Sequence, residues 1–400
     1  MEQLVNDVLD TLNKNYWKPI RFVLENNKQL RNTIMSFLIN PEKIHIYLGK
    51  DHLAVEYFGS YSTFLKAQGN IKIACFDYQD SDNFIESITG IEFGKGPIRV
   101  PLSGEIDDLF VATPEATEIL AENNWNFLSQ EMMFMTNISG ISLQNGFSRF
   151  RNSFFYEKNG DGLKVRNIKW LDVFPIDRID VDENIEEIIV QFPDFVKSGL
   201  VWADAHYTIP EKFNYQYEKL IILNRFIEIY NSEGINETEI TRFLAEPENQ
   251  FILKMAFFGN SIHTEKECKW VNYPDRSAIR PDYFVSSTNG YSDIVEFKLP
   301  KIKSESAVVG RENRETFSSE INSYISQTRV YKEYFEDPRN RKHVKETYGI
   351  DVYYPKRFLV IGRRWMLGQE NWRAIQNDFQ GLTILTYDDI VDTVMGHLMS

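Results

Sequence analysis

The stretch from Ile279 to Lys298 constrains the fold of this chain most, because it reads as two short strands joined by a turn. Residues 280–286 are rich in aromatic and β-branched side chains, and a turn-forming Ser-Thr-Asn-Gly follows at 287–290. The next residues alternate, so that Glu296 and Lys298 share one face of the second strand. A strand places Glu and Lys two apart on one face only where that face meets water, a ligand or each other. The pattern therefore predicts a β-hairpin with one polar face.

Asp282 lies fourteen residues before Glu296, near the start of the preceding strand. If the two strands pair, its carboxylate can approach Glu296. Two carboxylates beside an ammonium suit metal-assisted phosphodiester cleavage, because Mg²⁺ prefers hard oxygen ligands and polarises a phosphoryl oxygen. Lys298 could position the attacking water or stabilise transition-state charge. The pattern D…ExK is weak by itself, and the alternative is a solvated hairpin with a surface Glu/Lys pair.

The surroundings of these residues resemble a known nuclease family. Arg280-Pro281-Asp282 followed by Glu296-Phe297-Lys298 resembles the PD-(D/E)xK nuclease core. The sequences IRPDYFV, DIVEFKLP and LTILTYDDIVDTVM resemble one branch of it, the Shedu anti-phage defence proteins, from about Asn236 to the C-terminus.

This resemblance implies a metal-dependent DNA endonuclease of a bacterial anti-phage defence system. Asp282 and Glu296 would ligate Mg²⁺ or Mn²⁺, with the carbonyl of Phe297 as a further ligand, and Lys298 would act on the water or the transition-state charge. It also implies self-association, as a homotetramer, and phage or linear double-stranded DNA as substrate.

Two helices supply further candidates. In nucleases of this class the helix before the sheet often carries another acid, and Glu239, with Glu237 behind it, is the candidate here. The alternative is a capping box, in which Asn236 is the N-cap and Glu239 the third residue. On the helix predicted for residues 315–335, Gln327 and Tyr331 are four apart and share a face with Tyr324. They match the Gln-x-x-x-Tyr helix of such nucleases, or are a surface Gln with two core tyrosines.

Charge is distributed unevenly over the chain, whose net charge is −14. Residues 1–230 carry 22 Lys and Arg against 33 Asp and Glu, whereas residues 298–373 carry 16 against 10. The distribution suits a nuclease with a local DNA groove and an acidic companion domain, or ordinary surface charge without a single basic face. The candidate phosphate contacts are Lys332, Arg339, Arg341, Lys342 and Lys345.

The element pattern predicts two regions with a boundary after Ser232. Residues 1–232 predict an α+β region with helices up to residue 39, strands between 44 and 78, a helix at 114–123 and a hairpin around 158–162. Residues 233–400 predict an α/β restriction-endonuclease-like core, a mixed sheet flanked by helices, whose first strand is expected at 266–272. We expect the first region to control DNA access.

The whole chain lacks an apolar run of the roughly 20 residues that cross a bilayer, and MEQLVNDVLD is not a signal peptide. We therefore expect a cytoplasmic protein without a membrane partner. Two other functions stay open: a nucleic-acid-binding sensor that kept the fold and lost cleavage, and an interaction protein in which Asp282, Glu296 and Lys298 coincide by chance. RNA stays open as a substrate.

Overall fold

The computed structural model of the chain describes residues 2–27, 34–59, 71–94, 96–127, 133–182, 185–193, 203–204, 215–304, 306–311, 314–366 and 369–399. The chain divides into two units. The first comprises Met1–Ile119 and Glu131–Lys212, and the second Leu120–Gln130 and Phe213–Ser400. The boundary expected after Ser232 stays a prediction.

The first unit begins with helices and continues with a large sheet. Its helical segments are α1 (Glu2–Leu12), a π-helical turn (Asn13–Trp17), α2 (Lys18–Asn26), α3 (Ser36–Ile39), α4 (Phe84–Thr89) and the start of α5 (Pro114–Glu122). Its strands are β1 (Lys43–Gly49), β2 (His52–Phe58), β3 (Lys72–Tyr78), β4 (Ile98–Asp107), β5 (Leu109–Ala112), β6 (Met133–Thr136), β7 (Ile138–Asn159), β8 (Gly162–Asp182) and β9 (Ile185–Val190).

The sheet of the first unit has the strand order β3-β1-β2-β8-β7-β5-β6, with β4 also paired to β7 and β9 to β8. Its centre is the long hairpin β7–β8, whose last pair is Asn159↔Gly162, so the hairpin predicted around residues 158–162 is confirmed. One face packs on the N-terminal helices, where Val8 and Leu12 join Leu53 in a core. The other face packs on α4 through Ile85. The sheet therefore has a hydrophobic core on each side.

The predicted helices of the first unit are confirmed where the structure describes them. Val5, Val8 and Leu12 are buried at helical spacing in α1. The helix at 114–123 is α5, and Thr113 caps its entry, because the Ala116 N–H donates to Thr113 Oγ1 over 3.2 Å. Residues 28–33 of the predicted N-terminal helices lie outside the described part of the chain.

The second unit also mixes helices and strands. Its helical segments are α6 (Tyr215–Asn231), α7 (Glu237–Ala245), α8 (Phe251–Ala256), α9 (Ser319–Glu336), α10 (Pro338–Tyr348), a 3₁₀ turn (Arg364–Met366), α11 (Gln369–Asn377) and α12 (Tyr387–Met399). Its strands are β10 (Ser261–Thr264), β11 (Tyr283–Ser286), β12 (Ser292–Phe297), β13 (Val308–Val309), β14 (Thr316–Phe317), β15 (Arg357–Val360) and β16 (Leu382–Leu385).

The main sheet of the second unit has the order β10-β11-β12-β15-β16. The pairs β10–β11 and β11–β12 are antiparallel, and β12–β15 and β15–β16 are parallel. The predicted mixed sheet with flanking helices is therefore confirmed. Because β12, β15 and β16 run in the same direction, their carboxyl ends lie at one edge of the sheet.

Two predicted elements of the second unit differ from those observed, a strand that lies elsewhere and a helix that begins later. The strand expected at 266–272 is instead β10, at Ser261–Thr264, and Cys268 forms only an isolated bridge with Ile279. Cys268 and Trp270 are buried two residues apart, as alternate residues of a strand would be, but they pack on Tyr334 and Phe335 of α9. Tertiary packing thus produced an alternation that resembled a strand.

The helix expected from Glu315 begins only at Ser319. Thr316 and Phe317 pair with β13, and the Ser318 hydroxyl caps the helix by accepting from the Ile321 N–H.

Among the described residues, no helix combines the length and the apolar character that crossing a membrane requires.

Candidate active site

The hairpin β11–β12 brings Asp282 and Glu296 together. Its register pairs Tyr283 with Val295, so Asp282 precedes β11 directly opposite Glu296. The Phe297 N–H donates to Asp282 Oδ2 over 2.7 Å, and the Asp282 N–H lies 3.4 Å from Glu296 Oε2. The first bond orients the Asp282 carboxylate along the end of β12.

Lys298 directly follows β12, and its ammonium contacts two acids, Glu296 and Glu237. Its Nζ lies 3.0 Å from Glu296 Oε1 and 3.3 Å from Glu237 Oε2. Its N–H donates to the Val360 carbonyl over 2.8 Å, and its own carbonyl accepts from the Tyr387 hydroxyl over 2.6 Å. Lys298 is only 7% exposed, so its ammonium is largely shielded from solvent and bonds to these acids.

Helix α9 supplies two side chains that bind Glu296. Gln327 Nε2 donates to Glu296 Oε1 over 2.6 Å, and the Tyr331 hydroxyl donates to Glu296 Oε2 over 3.1 Å. Gln327 Nε2 is also 2.8 Å from the Tyr331 hydroxyl, as their spacing of one helical turn allows. The ring of Tyr324 lies 5.4 Å from Lys298 Nζ. The three residues of the predicted face therefore surround Glu296 and Lys298.

Of the two candidate acids on α7, Glu237 reaches the cluster and Glu239 does not contact Lys298. Asn236 is the N-cap, and its Oδ1 accepts from the Glu239 N–H over 3.0 Å. Glu239 is exposed, whereas Glu237 pairs with Lys298. The sequence favours Glu239, yet Glu237 is the acid at the site. The signal in the sequence is only the acidic first turn, which does not tell which acid faces the sheet.

On the β11 side, the carbonyl of Phe297 faces a residue that has no backbone N–H to donate. Continuing the β11–β12 register places Pro281 opposite Phe297. Proline has no N–H to donate to the Phe297 carbonyl, and the Phe297 N–H donates to Asp282 instead. This position leaves the carbonyl of Phe297 for another ligand.

Burial dominates the electrostatics of the cluster. Burial raises the pKa of Asp282, and the negative charge of Glu296 raises it further. Burial also raises the pKa of Glu296, against the opposing effect of Lys298. Burial alone would lower the pKa of Lys298, but Glu296 and Glu237 outweigh it, so that the net pKa is raised. Lys298 is therefore an ammonium at neutral pH, beside carboxylates whose ionised forms are disfavoured.

The donor set suits one kind of metal ion better than others. Within the described residues, no group of three or more His, Cys, Asp and Glu is arranged to hold a metal. The site offers the carboxylates of Asp282 and Glu296 and the carbonyl of Phe297. Mg²⁺ usually binds through one or two carboxylates and retains waters, so this donor set fits Mg²⁺ and not a zinc-like cage.

The five candidate phosphate contacts lie on α9 and α10, where Arg341 is half-buried and the other four are exposed. Lys332, Arg339, Lys342 and Lys345 each pair with a nearby acid, and Arg341 lies over the Tyr353 ring at 5.2 Å. Exposed pairs of this kind are weak, so a phosphate could replace the acid. Their role in DNA binding stays a prediction.

A comparison with protein families agrees with part of the sequence analysis. Residues 217–391 match the family model for the C-terminal region of the Shedu protein SduA. The match lies within the second unit, contains the whole candidate site and covers less than half of the chain. It supports a Shedu protein over this region. Among curated proteins, none matches the chain.

Proposed function

We propose that the second unit is a metal-dependent DNA endonuclease with a PD-(D/E)xK site, acting in anti-phage defence. The observation that carries this proposal is the convergence of Asp282, Glu296 and Lys298 at the end of β12, with Gln327 bonded to Glu296. Residues that only stabilise a hairpin would not need two carboxylates, a buried ammonium and an amide from a separate helix around one point. The Shedu match supports the same proposal.

Asp282, Glu296 and the carbonyl of Phe297 would hold Mg²⁺, and Mn²⁺ would substitute for it. When bound, the ion would polarise the phosphoryl oxygen and favour formation of the attacking hydroxide. The carboxyl groups at the site support a cation ligand, because Asp282, Glu296 and Glu237 surround the ammonium of Lys298. A bound cation would favour the ionised forms that burial disfavours.

Lys298 would act as a fixed positive charge. Its ammonium donates to Glu296 and Glu237, and it can donate likewise to the attacking water or to a phosphate oxygen. A preorganised charge in a buried site stabilises developing negative charge strongly, because little solvent has to reorganise. The raised pKa of Lys298 supports this role over that of a general base.

Gln327 and Tyr331 would orient Glu296. Each donates to a different oxygen of that carboxylate, so together they restrict its rotation. Glu237 would hold the Lys298 ammonium from the side opposite Glu296. Glu239, the acid that the sequence favours, stays a weaker candidate for catalysis.

DNA is the proposed substrate, in linear or phage form, with exposed cations of α9 and α10 as phosphate contacts. We further propose that the protein self-associates as a homotetramer and that the first unit controls access of DNA.

The test is cleavage of linear and supercoiled DNA by the full chain, with Mg²⁺, with Mn²⁺ and with EDTA. Glu296→Gln and Lys298→Ala should each lower the cleavage rate by at least about a hundredfold, as for removal of one preorganised catalytic group. Glu336→Gln is the matched control, since it removes an exposed carboxylate from α9. It should cut at the wild-type rate.

The alternative is a sensor that binds nucleic acid without cutting it. Wild-type protein that binds DNA but leaves it intact with every divalent metal would establish that alternative. If Glu296→Gln cut DNA at the wild-type rate, the nuclease site would not be the one proposed here.

A further inference from the structure

The second unit includes a short segment that comes from an early part of the chain. We name residues 120–127 the junction segment. Its Asn126 N–H donates to Asn224 Oδ1 over 2.8 Å, and the Asn224 amide donates back to the Asn126 carbonyl over 3.0 Å. The Trp125 indole N–H donates to Glu228 Oε1 over 3.0 Å. Specific hydrogen bonds thus fix the junction segment on helix α6.

The junction segment also contacts Arg363, a buried arginine of the second unit. Arg363 Nη2 donates to Asn123 Oδ1, and its Nη1 donates to Asn231 Oδ1 over 2.7 Å. The same guanidinium forms a two-pronged pair with Asp388, at 2.7 and 3.0 Å. The Tyr230 hydroxyl donates to the same Asn123 oxygen over 3.2 Å, and Arg363 lies 4.9 Å from the Tyr230 ring. One oxygen of Asn123 therefore joins an arginine and a tyrosine that are both buried.

From Tyr230 the contacts continue to the candidate site through Tyr387. The two rings lie 5.1 Å apart, and Tyr387 directly precedes Asp388, the partner of Arg363. Tyr387 is completely buried, and its hydroxyl donates to the Lys298 carbonyl over 2.6 Å. A continuous set of packed and hydrogen-bonded groups thus runs from Asn123 to Lys298.

The bond from Tyr387 matters because Lys298 lies beyond the last residue of β12. The N–H of Lys298 is held by the sheet, through Val360, but its carbonyl is held by the Tyr387 hydroxyl. These two bonds fix the peptide units on both sides of the Lys298 Cα atom. The direction of the side chain toward Glu296 depends on both.

We propose that Tyr387 is a positioning residue for Lys298 and that the junction segment sets the position of Tyr387 through Asn123 and Arg363. The proposal rests on the proposed function, because it assigns a regulatory input to the same site. Helix α5 (Pro114–Glu122) contains residues of both units, so its continuous backbone links the first unit to the junction segment. A change that displaces α5 would then weaken the bond from Tyr387 to the Lys298 carbonyl and make the Lys298 side chain less well positioned.

The first experiment measures Lys298 itself and needs no cleavage. Trace acetylation of the full chain with acetic anhydride is quantified by mass spectrometry for Lys298 against the exposed Lys332 of the same molecule. Tyr387→Phe and Asn123→Ala should each raise the relative reactivity of Lys298 about three- to tenfold, the effect of losing one intramolecular hydrogen bond. Asn123→Asp keeps the oxygen that Arg363 and Tyr230 bind, and it should restore wild-type reactivity.

Tyr334→Phe is the matched control. Tyr334 is buried in the same unit, and its hydroxyl donates to the Lys269 carbonyl over 2.9 Å, a bond of the same kind. This variant should lose similar stability and leave the reactivity of Lys298 unchanged. Unchanged reactivity in Tyr387→Phe or in Asn123→Ala would overturn the proposal, as would an equal rise in Tyr334→Phe.

Cleavage kinetics separate this inference from the proposed function. Tyr387→Phe and Asn123→Ala should lower the cleavage rate at saturating DNA and leave the Kd for DNA unchanged, whereas Tyr334→Phe should change neither. Variants that cut at the wild-type rate despite a more reactive Lys298 would overturn the regulatory role. If the wild type cuts no DNA with any divalent metal, the nuclease proposal fails, and the acetylation result alone decides whether the junction segment positions Lys298.

Discussion

A buried cation lies between two carboxylates in each unit, Arg149 in the first and Lys298 in the second, and the two clusters differ in what surrounds them. In the first unit Arg149 lies between Asp172 and Asp204, with the Tyr16 hydroxyl donating to Asp204 over 2.7 Å. In the second unit Lys298 lies between Glu296 and Glu237. Arg149 and Asp204 are completely buried, whereas the Glu237 side chain is 39% exposed. The first cluster is closed to solvent and the second is open on one side.

The two clusters also differ in how completely their charges are matched. Arg149 uses both edges of its guanidinium, toward Asp172 at 2.6 and 3.0 Å and toward Asp204 at 2.7 Å. Lys298 is a single point charge, and Asp282 adds a third carboxylate beside it. A buried charge is therefore not in itself a sign of function. An excess of carboxyl groups over cations next to solvent is the better indicator, because a bound cation would stabilise their ionised forms.

Arg149→Met should have the largest effect on stability. It leaves Asp172 and Asp204 buried without their cation, and loss of one partner of a buried pair lowers the free energy of unfolding by about 3–5 kcal/mol. Urea denaturation of the full chain measures it. Arg339→Met, which removes an exposed arginine paired with Asp337, should leave the midpoint unchanged. Equal midpoints for both variants would show that the Arg149 cluster is not structural.

Asp282→Asn should have an effect of the opposite sign. Burial and the charge of Glu296 raise the pKa of Asp282, so ionisation of this carboxyl destabilises the fold as the pH rises above its ordinary pKa. Without metal, the variant should gain about 1–2 kcal/mol at neutral pH, the range of a single stabilising substitution. That gain should shrink as the pH falls and vanish below about pH 4, where Asp282 of wild type is protonated in both the folded and the unfolded state.

Melting curves with EDTA and with Mg²⁺ measure this prediction. Wild type should melt at a higher temperature when Mg²⁺ is added, because a ligand that binds only the folded state stabilises it. Asp282→Asn should lose both this response and cleavage. Glu336→Gln should behave as wild type in each condition. If Asp282→Asn were less stable than wild type in EDTA, Asp282 would have a structural role, like the carboxylates around Arg149.

Asp204→Asn should have the smallest effect, although it lies in the closed cluster. Burial raises the pKa of Asp204 to about 6, against the opposing charge of Arg149. Because the folded pKa exceeds the unfolded one, wild type loses stability from about pH 4 to about pH 6, and the variant lacks this loss. The amide keeps an oxygen for Arg149, and the Tyr16 hydroxyl can accept from its NH₂ group.

We therefore expect Asp204→Asn to change the free energy of unfolding by only about 1 kcal/mol at neutral pH, the net worth of one hydrogen bond. Urea denaturation at several pH values checks the direction. The free energy of unfolding of the variant should increase relative to that of wild type as the pH rises from about 4 to about 6. A loss as large as that of Arg149→Met would mean that Arg149 needs both carboxylates.

The predictions that succeeded depend on short-range periodicity. Glu296 and Lys298 share a face because strands repeat every two residues, and Gln327 and Tyr331 meet because they are one helical turn apart. Both spacings hold in the structure, where Lys298, Gln327 and Tyr331 all bind the Glu296 carboxylate. The strand expected at 266–272 failed for a related reason, since its alternation came from packing on α9 and not from a sheet.

The sequence alone predicted the hairpin, the approach of Asp282 to Glu296 if its two strands pair, and the helix face that carries Gln327. These follow from backbone geometry, which depends on near neighbours. Only the tertiary structure decided that Glu237 reaches Lys298 while Glu239 is exposed, that Asn123 belongs with the second unit, and that Tyr387 holds the Lys298 carbonyl. Those contacts join residues 61, 240 and 89 positions apart, and the packing of whole elements, which no local pattern encodes, sets which side chains meet.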